Sequence, residues 1–519
     1  MVDRIFKFFS SLRLTVVLLS AGLVLVFVGT LAQVHEGLYQ AQVRYFRSWF
    51  IWQPTVGDSV WPILLPGGYL IGTMLLINLV AAHLKRFKLT TQKIGIQLIH
   101  GGIILLLLGQ LLTDVLARES SMKLVEGTSK DYSEDFHANE LVVIDKSNPQ
   151  SDGVVSIPES LLASAKDIQD PALPVTLKIR DCWPNCEVNA IAPPGSIAPP
   201  ADHGNFTNML VYPIAASGQN PEDVQAAALV EVISPKGSLG TFLVPSKIDN
   251  SEVQTFAYGD HEWTLSMLFA PMIGGNQLAV SDVSDSSPEG MINFPEAELA
   301  RKGELKRDGL PVTLSVKEFW PQCRLYHQLA PNSVQPRITR GGLVGTFVTP
   351  MARVTDPDHR DFPAAVVEIF NGPNSLGTWL LWTANSSDDI FLVGNKPLQL
   401  AFRHKRYYEP YRIGLVKFTH DKYKGTTTDK NFASRLRVIN PQGNEDREVL
   451  IKMNSPLRYA GTTYYQGSFD PRDPHVSILQ VVTNPSWLTP YLSCLLVMLG
   501  LIWQFGSHLI GFALKRRTT

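Results

Sequence analysis

Long uncharged apolar stretches interrupt an otherwise mixed sequence, and they predict four membrane-spanning helices. They cover residues 14–33, 62–82 and 94–113 near the N-terminus and most of residues 485–519 at the C-terminus. Each reaches the roughly 20 residues that a helix needs to cross the hydrocarbon core. A cleaved signal peptide is the alternative for the first stretch, but its apolar run is long for a signal and further spans follow closely.

Residues 118–484 have a different pattern, in which short runs alternate apolar with polar residues between Pro and Gly positions. VTLKIRD from Val175 and AVVEIF from Ala365 are typical. A period of two bounded by turn residues predicts β-strands. We therefore expect an integral membrane α-helical protein with four transmembrane helices and a large extracytoplasmic all-β, sandwich-like domain.

An internal repeat is visible within this β-rich region. VTLKIRDCWPNC from Val175 matches VTLSVKEFWPQC from Val312, and AALVEV from Ala227 matches AAVVEI from Ala364. Both pairs are 137 residues apart. A constant offset predicts a duplicated β unit. We place the units at about residues 171–275 and 308–411, followed by 412–484, and expect the two units to pack face to face.

Basic residues predict the orientation of the chain, because short cytoplasmic loops carry an excess of Lys and Arg. They cluster before the first stretch, between the second and third, and at the C-terminus: Arg4, Lys7, Arg13, Lys85, Arg86, Lys88, Lys93, Lys515, Arg516 and Arg517. Both termini are then cytoplasmic. The domains are an N-terminal membrane domain (1–117), the extracytoplasmic β domain (118–484) and a C-terminal helix with a basic tail (485–519).

Composition excludes several classes of protein. Lys and Arg number 46 and Asp and Glu 47, so the net charge of −1 argues against a nucleic-acid binder. Four cysteines are too few for a disulfide scaffold, and without a C-x-x-C-H motif the chain does not attach a c-type heme to itself. Cys182–Cys186 or Cys186–Cys323 could form a disulfide; alternatively, Cys182, Cys186 and Cys323 are small buried residues.

His100 is the main candidate site residue, because ionisable groups inside a membrane span are costly and often functional. Gly101 and Gly102 follow it, so a helix or a flat ligand could approach closely. An axial heme ligand and a hydrogen bond to a neighbouring helix are both open interpretations. His35, His83 and His508 favour interfacial polar roles over heme ligation.

Two further features leave the chemistry open. Residues 44–52 (RYFRSWFIW) interleave aromatic residues with arginine, which favours an interfacial helix over a surface that stacks on a planar cofactor. The histidines of residues 118–484 lack metal-site spacing, and no motif of a self-contained catalytic site is present. Whether the chain is an enzyme is therefore uncertain, and it looks like a non-catalytic subunit.

Several segments together resemble the ResB (CcsB) family of cytochrome c biogenesis proteins, which act in System II. They are FFSSLRLTVVLL and GTLAQ (within 8–33), LIHGGIILLLLGQLLTD (98–114), SSMKLVEGTS (120–129), FTHDKYKGTTTDKNFASRLRVI (418–439) and NSPLRYAGTTYYQGSFD (454–470). The resemblance implies a subunit of a membrane cytochrome c synthase complex. Such a subunit helps deliver heme across the membrane and attach it to apocytochrome c outside the cytoplasm.

The resemblance also implies a site and partners. His100 matches the position of an axial ligand to heme iron, in a heme b that is bound transiently and shared with a CcsA/ResC-type membrane partner. That partner carries the tryptophan-rich WWD heme loop, which this chain lacks. Apocytochrome c and membrane lipid are the other expected partners. The implied location is the bacterial plasma membrane, or the thylakoid membrane in a phototroph.

Two alternatives compete with the heme-handling subunit. One is a purely structural membrane scaffold whose β domain binds the partner or apocytochrome, with no heme ligation of its own. The other is a membrane-anchored β-domain sensor without a heme role.

Overall fold

Eight α-helices are present in the described part of the chain, four of them long. The computed structural model describes residues 2–517 except 57–58, 61, 88–89, 91–92, 150, 165–166, 216–224, 247–252, 271–274, 285–289, 355–359, 386–388, 423–428 and 471–472. The helices are α1 (Val2–Phe9), α2 (Leu12–Glu36), α3 (Leu38–Ala41), α4 (Gly68–Arg86), α5 (Ile94–Leu116), α6 (Glu159–Ser164), α7 (Glu296–Leu299) and α8 (Thr489–Arg517). A π-helical turn, Gln42–Phe46, follows α3.

The remaining regular structure is β-sheet. The strands are β1 (Phe50–Trp52), β2 (Thr55–Val56), β3 (Ser59–Val60), β4 (Leu64–Pro66), β5 (Arg118–Val125), β6 (Ser129–Asp145), β7 (Gly153–Pro158), β8 (Asp167–Ile168), β9 (Thr176–Trp183), β10 (Cys186–Ala190), β11 (Met209–Pro213), β12 (Gln225–Ser234), β13 (Gly237–Pro245), β14 (Gln254–Tyr258), β15 (His261–Ala270), β16 (Gly275–Asp282), β17 (Ile292–Pro295), β18 (Gly303–Leu305), β19 (Thr313–His327), β20 (Thr346–Pro350), β21 (Ala364–Asn371), β22 (Asn374–Trp382), β23 (Ile390–Val393), β24 (Lys396–Lys422), β25 (Asp429–Asn440), β26 (Glu445–Lys452), β27 (Leu457–Tyr459), β28 (Thr462–Asp470) and β29 (Asp473–Thr483).

The four apolar stretches form helices α2, α4, α5 and α8, each long and apolar enough to cross a membrane. The second helix begins at Gly68, later than the predicted start at residue 62. Residues 64–66 instead pair with strand β1. Gly67 and Gly68 bring the chain against the carbonyl oxygens of Ser48 and Phe46, where a Cβ atom would lie within 2.2–2.3 Å. This close approach fixes where the helix can start.

Helices α5 and α8 pack against each other in antiparallel directions along a seam of glycines. Gly95, Gly102 and Gly109 are all buried and recur every seven residues, so they share one face of α5. A Cβ atom at Gly102 would lie 2.7 Å from Cγ2 of Val497 and 2.9 Å from the carbonyl oxygen of Ser493. Small residues allow this close backbone approach, which maximises dispersion contacts between apolar helices.

A buried amide joins α2 to α4. Asn78 of α4 is 2 % exposed. Its Nδ2 atom donates to the carbonyl oxygen of Phe9 at 2.6 Å, and its Oδ1 accepts from Thr15 at 2.7 Å. Because the amide is satisfied on both sides, it can lie within an apolar helix pair at low cost and fix the register of the pair.

The β region has three main cores. The first lies between sheet β11-β19-β12-β13 and sheet β14-β15-β16-β17 and includes Phe242, Leu265 and Phe294. The second lies between sheet β22-β21-β9-β8 and strands β6, β7, β23 and β24. The third, which we call the helix-proximal core, lies inside a ten-stranded sheet and includes Met122 and Tyr464. Eight strands of this sheet run in the order β26-β25-β24-β6-β5-β29-β28-β27, and β7 and β23 pair with β6 and β24 beside them. Strand β24 contributes to the second and third cores.

The two repeat segments share sheets and do not pack face to face as separate bodies, which corrects the predicted packing. Strand β9 pairs with β21, with Ala364 opposite Trp183. Strand β12 pairs with β19, with Ala227 opposite Trp320. The two ladders thus have the same register at positions 137 residues apart. Hairpin β12–β13 of the first segment pairs with strand β19 of the second. Hairpin β21–β22 of the second segment pairs with strand β9 of the first.

The β region begins and ends on adjacent strands directly above the α5–α8 pair. Strand β5 follows α5 after Ala117, and residues 484–488 connect the end of β29 to the start of α8. These strands are antiparallel neighbours, with Arg118 opposite Thr483. The side chains of Thr113 and Asn484 contact each other just beneath them. The helix pair and the strand pair therefore form one continuous support.

We predict that Gly102→Ala destabilises the chain by about 1–3 kcal/mol, because the added methyl group overpacks the α5–α8 seam. Gly101→Ala is the matched control, since no atom lies within 4 Å of a Cβ at that position. There alanine should be neutral or stabilising, by about 0.5–1 kcal/mol. The thermal unfolding midpoint of the full chain in detergent measures both effects. Equal midpoints for the two variants would contradict the seam.

Candidate functional site

Two histidines on neighbouring helices meet in the half of the helical region remote from the β region. His100 lies in α5, six residues after its start at Ile94, and His83 lies in the last turn of α4. Their ring centroids are 6.0 Å apart and the ring planes meet at 75°. His83 also packs edge-on against Phe87, at 5.6 Å between centroids. We call His83 and His100 the histidine pair.

Polar atoms around the histidine pair are buried without a hydrogen-bond partner in the described part of the chain. They are Nδ1 of His83 and Oε1 of Gln97. Gln97 precedes His100 by almost one helical turn, so both lie on one side of α5, away from the glycine seam. A buried polar atom without a partner costs about 1–3 kcal/mol. The Nδ1 atom of His83 and the Oε1 atom of Gln97 therefore have unused hydrogen-bonding capacity.

Gly101 leaves open space beside His100, since a Cβ atom there would have no neighbour within 4 Å. Gly102 does not, because it belongs to the α5–α8 seam. The two glycines were predicted together as room for a helix or a flat ligand. Gly102 accommodates the helix, and Gly101 borders the open space.

The other helix-associated histidines are His508 and His35. His508 is exposed on α8, and its Nε2 lies 2.8 Å from Nε2 of Gln504. The side chain of His35 lies outside the described residues, as does Lys88 of the predicted basic loop. The position of His83 beside His100 was not predicted from the sequence, where the adjacent Lys85 and Arg86 are typical of an interfacial residue.

Residues 44–52 do not form the predicted interfacial helix. The π-helical turn ends at Phe46, and residues 50–52 form strand β1. Tyr45 and Ile51 are buried against α2 and α4, whereas Trp49 and Trp52 are exposed. Pairing with β4 favours the extended conformation over a continued helix.

The cysteines Cys182, Cys186 and Cys323 are free thiols. Cys186 and Cys323 occupy corresponding core positions, as the buried-residue interpretation expects. Burial raises the pKa of each of these two thiols to about 12 and that of Cys182 to about 11. A thiol that stays protonated is a poor nucleophile, so these cysteines are poorly suited to heme or thiol chemistry.

Two histidines of the β region lie near its junction with the helices. His137 stacks on Tyr39 of α3, with ring centroids 4.0 Å apart. His404 of β24 lies with its Nδ1 atom 2.8 Å from Oδ1 of Asn139. Burial, together with the charge of Arg360, lowers the pKa of His404 to about 4. His404 is therefore neutral near neutral pH.

A nearly buried ion pair lies next to His404 between β6 and β24. Nε of Arg403 donates to Oε1 of Glu140 at 3.0 Å, and the two side chains are 11 % and 6 % exposed. Ser156 also donates to this carboxylate. The ion pair leaves no signal in the sequence, because its partners are far apart in the chain and only strand pairing brings them together.

Comparison with known families adds a decisive observation. Residues 377–476 match the ResB-like family. The resemblance noted in the sequence is thereby confirmed, although most of its quoted segments lie outside the matched residues.

A second comparison finds a relative among characterised proteins. The chain is 28 % identical over 107 residues to Protein NrfI of Wolinella succinogenes. The match covers 21 % of this chain and 12 % of NrfI. The chain therefore matches only a small part of that much longer relative.

The ResB-like region maps onto the strands that surround the helix-proximal core. Residues 377–476 include all of β23 to β28 and the start of β29. Their buried side chains include Tyr411, Leu436 and Tyr464. The histidine pair lies outside this region, so its role needs support of its own.

We predict that the ResB-like β region loses stability as the pH falls from about 6.5 to about 4. The pKa of His404 is below its ordinary value of 6.5 in the folded chain. In this window the unfolded chain takes up a proton that the folded chain does not. His404→Gln, which cannot titrate, should flatten the dependence. Urea unfolding at several pH values measures both slopes, and identical slopes would contradict the assignment.

Proposed function

We propose that the chain is a subunit of a membrane cytochrome c synthase complex that helps deliver heme across the membrane and attach it to apocytochrome c. The ResB-like match supports this class of function. The histidine pair carries the heme-handling part of the proposal, because it sets two imidazoles 6.0 Å apart within long apolar helices. Such groups in a membrane span are otherwise costly.

His100 is the proposed axial ligand. Neutral imidazole is a common ligand of heme iron. The open space beside Gly101 lets a flat macrocycle approach the helix. His83 acts as a positioning residue, since its ring packs at 75° against that of His100 and restricts its orientation. The second axial ligand comes from a CcsA/ResC-type partner that carries the WWD loop, so the heme b is shared and transient.

The proposed topology places both termini in the cytoplasm and the β domain outside it, with α2, α4, α5 and α8 crossing a bacterial plasma membrane. The basic clusters at Arg4 to Arg13, Lys85 to Lys93 and Lys515 to Arg517 support it. The histidine pair then lies toward the cytoplasmic side, where heme would enter. The β domain contacts the partner and apocytochrome c.

We also infer that the two repeat segments are a tandem duplication within the β domain. The equal registers of β9–β21 and β12–β19 support it. So do the isolated bridges Ile197–Val211 and Val334–Val348, which differ by the same 137 positions.

We predict that His100→Ala lowers the heme content of the complex, copurified with its partner, by about tenfold or more, because an iron ligand is lost. His508→Ala is the matched control, as it removes an exposed histidine of α8 whose ring contacts Gln504. The Soret absorbance per complex measures both. His83→Ala should cause a smaller loss and shift the band.

Heme content that is unchanged in His100→Ala would exclude ligation and leave the structural scaffold as the function. Recovery of the band when imidazole is added to His100→Gly would support direct ligation. Heme staining of c-type cytochromes in a strain that lacks the chain distinguishes both functions from a sensor, which would leave cytochrome maturation intact.

The orientation predicts the behaviour of reporter fusions. An enzyme that is active only outside the cytoplasm should be active when fused after Ala117 and inactive when fused after Arg86. A reporter that is active only in the cytoplasm should give the opposite result. Reversal at either position would contradict the proposed direction of heme delivery.

A further inference from the structure

A cavity of about 570 Å³ lies between α2, the π-helical turn, α4 and α5, at the end of the helices next to the β region. Its volume is in the usual range for a small-molecule site. Leu76, Leu107, Leu111 and Phe46 give it apolar walls. Because Gln42 and Gln110 at its border are exposed, it opens sideways from the helices. A ligand could therefore enter from a surrounding bilayer.

The charges at the polar end of the cavity are already paired. Nε of Arg47 lies 3.0 Å from Oδ1 of Asp114, whose side chain is 11 % exposed. The hydroxyl of Tyr69 donates to the other oxygen of the same carboxylate. The lining thus has no uncompensated cation to attract a phosphate or carboxylate. It suits an uncharged ligand.

Neutral hydrogen-bonding groups remain available in the lining. The side chains of Gln33, Gln110 and Thr73 make no hydrogen bond to the described part of the chain. Amide and hydroxyl groups can donate to a carbonyl oxygen and accept from a hydroxyl. They lie around an apolar space, so they would orient a ligand that has polar oxygens on an otherwise apolar body.

Gly72 keeps the cavity open. A Cβ atom there would meet no atom within 4 Å. Gly68, one turn earlier, differs: it is needed for contact with the backbone of Phe46. No packing contact requires a glycine at position 72. A glycine inside a helix lowers stability by about 0.5–1 kcal/mol relative to alanine. It leaves room for a flat ring against the backbone of α4.

We propose that this cavity binds the head group of a membrane quinone or quinol. A quinone combines a flat, uncharged ring, oxygens that accept hydrogen bonds from amides, and an isoprenoid tail that can remain in the bilayer through the side opening. An acyl chain alone would not use the amides, and an anionic head group would not find a free cation. The site is separate from the histidine pair and does not depend on the proposed heme role.

The test measures retention of menaquinone-4 by the full chain in nanodiscs. After gel filtration, extracted quinone is quantified per chain by chromatography. Wild type should retain about one equivalent, and Gly72→Leu should reduce retention about tenfold, because leucine fills the cavity. Gly506→Leu is the matched control, since it also lies in a long apolar helix with no atom within 4 Å of a Cβ.

Thr73→Val, which keeps the shape and removes a hydroxyl, should weaken retention about threefold and tests the polar contact if Gly72→Leu fails to fold. His100→Ala should leave retention unchanged. Equal retention in Gly72→Leu and Gly506→Leu would overturn the proposal. So would native mass spectrometry showing that Gly72→Leu displaces phospholipid or heme from the chain while menaquinone-4 has no effect.

Discussion

The pairing of strand β5 with strand β29 above the α5–α8 seam is the constraint on which the rest of the structure depends. The chain leaves the helices at Ala117 and returns to them at Thr489. Joining two points so distant in sequence costs entropy. This entropy cost is offset when the β5–β29 ladder and the α5–α8 glycine seam form together. The paired strands keep α5 and α8 adjacent, and the packed helices keep β5 and β29 adjacent.

This support determines how the β region is built. The helix-proximal core forms around β5 and β29, and the 27-residue strand β24 extends from it into the second core. The ion pair of Glu140 with Arg403 fixes β24 against β6. Residues that match the ResB-like family surround the helix-proximal core. The matched segment thus supplies many of the strands around this core, whereas β5 and most of β29, which adjoin the helices, lie outside it.

The helices carry polar groups at two levels, and glycine has a different use at each. Near the histidine pair, Gly101 leaves space, whereas Gly102 one residue later brings α8 into contact. At the level of the ion pair between Arg47 and Asp114, Gly72 leaves a cavity. An apolar helix bundle gains stability by filling such spaces. Each of the two ligands proposed above would occupy one of these unfilled spaces.

Sequence alone determined the four apolar helices, the β-rich region between the third and the fourth, the ResB-like resemblance and the prominence of His100. These features are encoded in local periods, in composition or in short motifs, and each can be recognised without knowing what packs against what. Tertiary structure alone decided that His83 lies beside His100, that Gly102 serves the seam, that a cavity opens beside Gly72 and that the repeat segments share sheets. Each depends on contacts between residues far apart in the chain. Helix packing and strand pairing select those contacts from many alternatives with equally apolar sequence patterns.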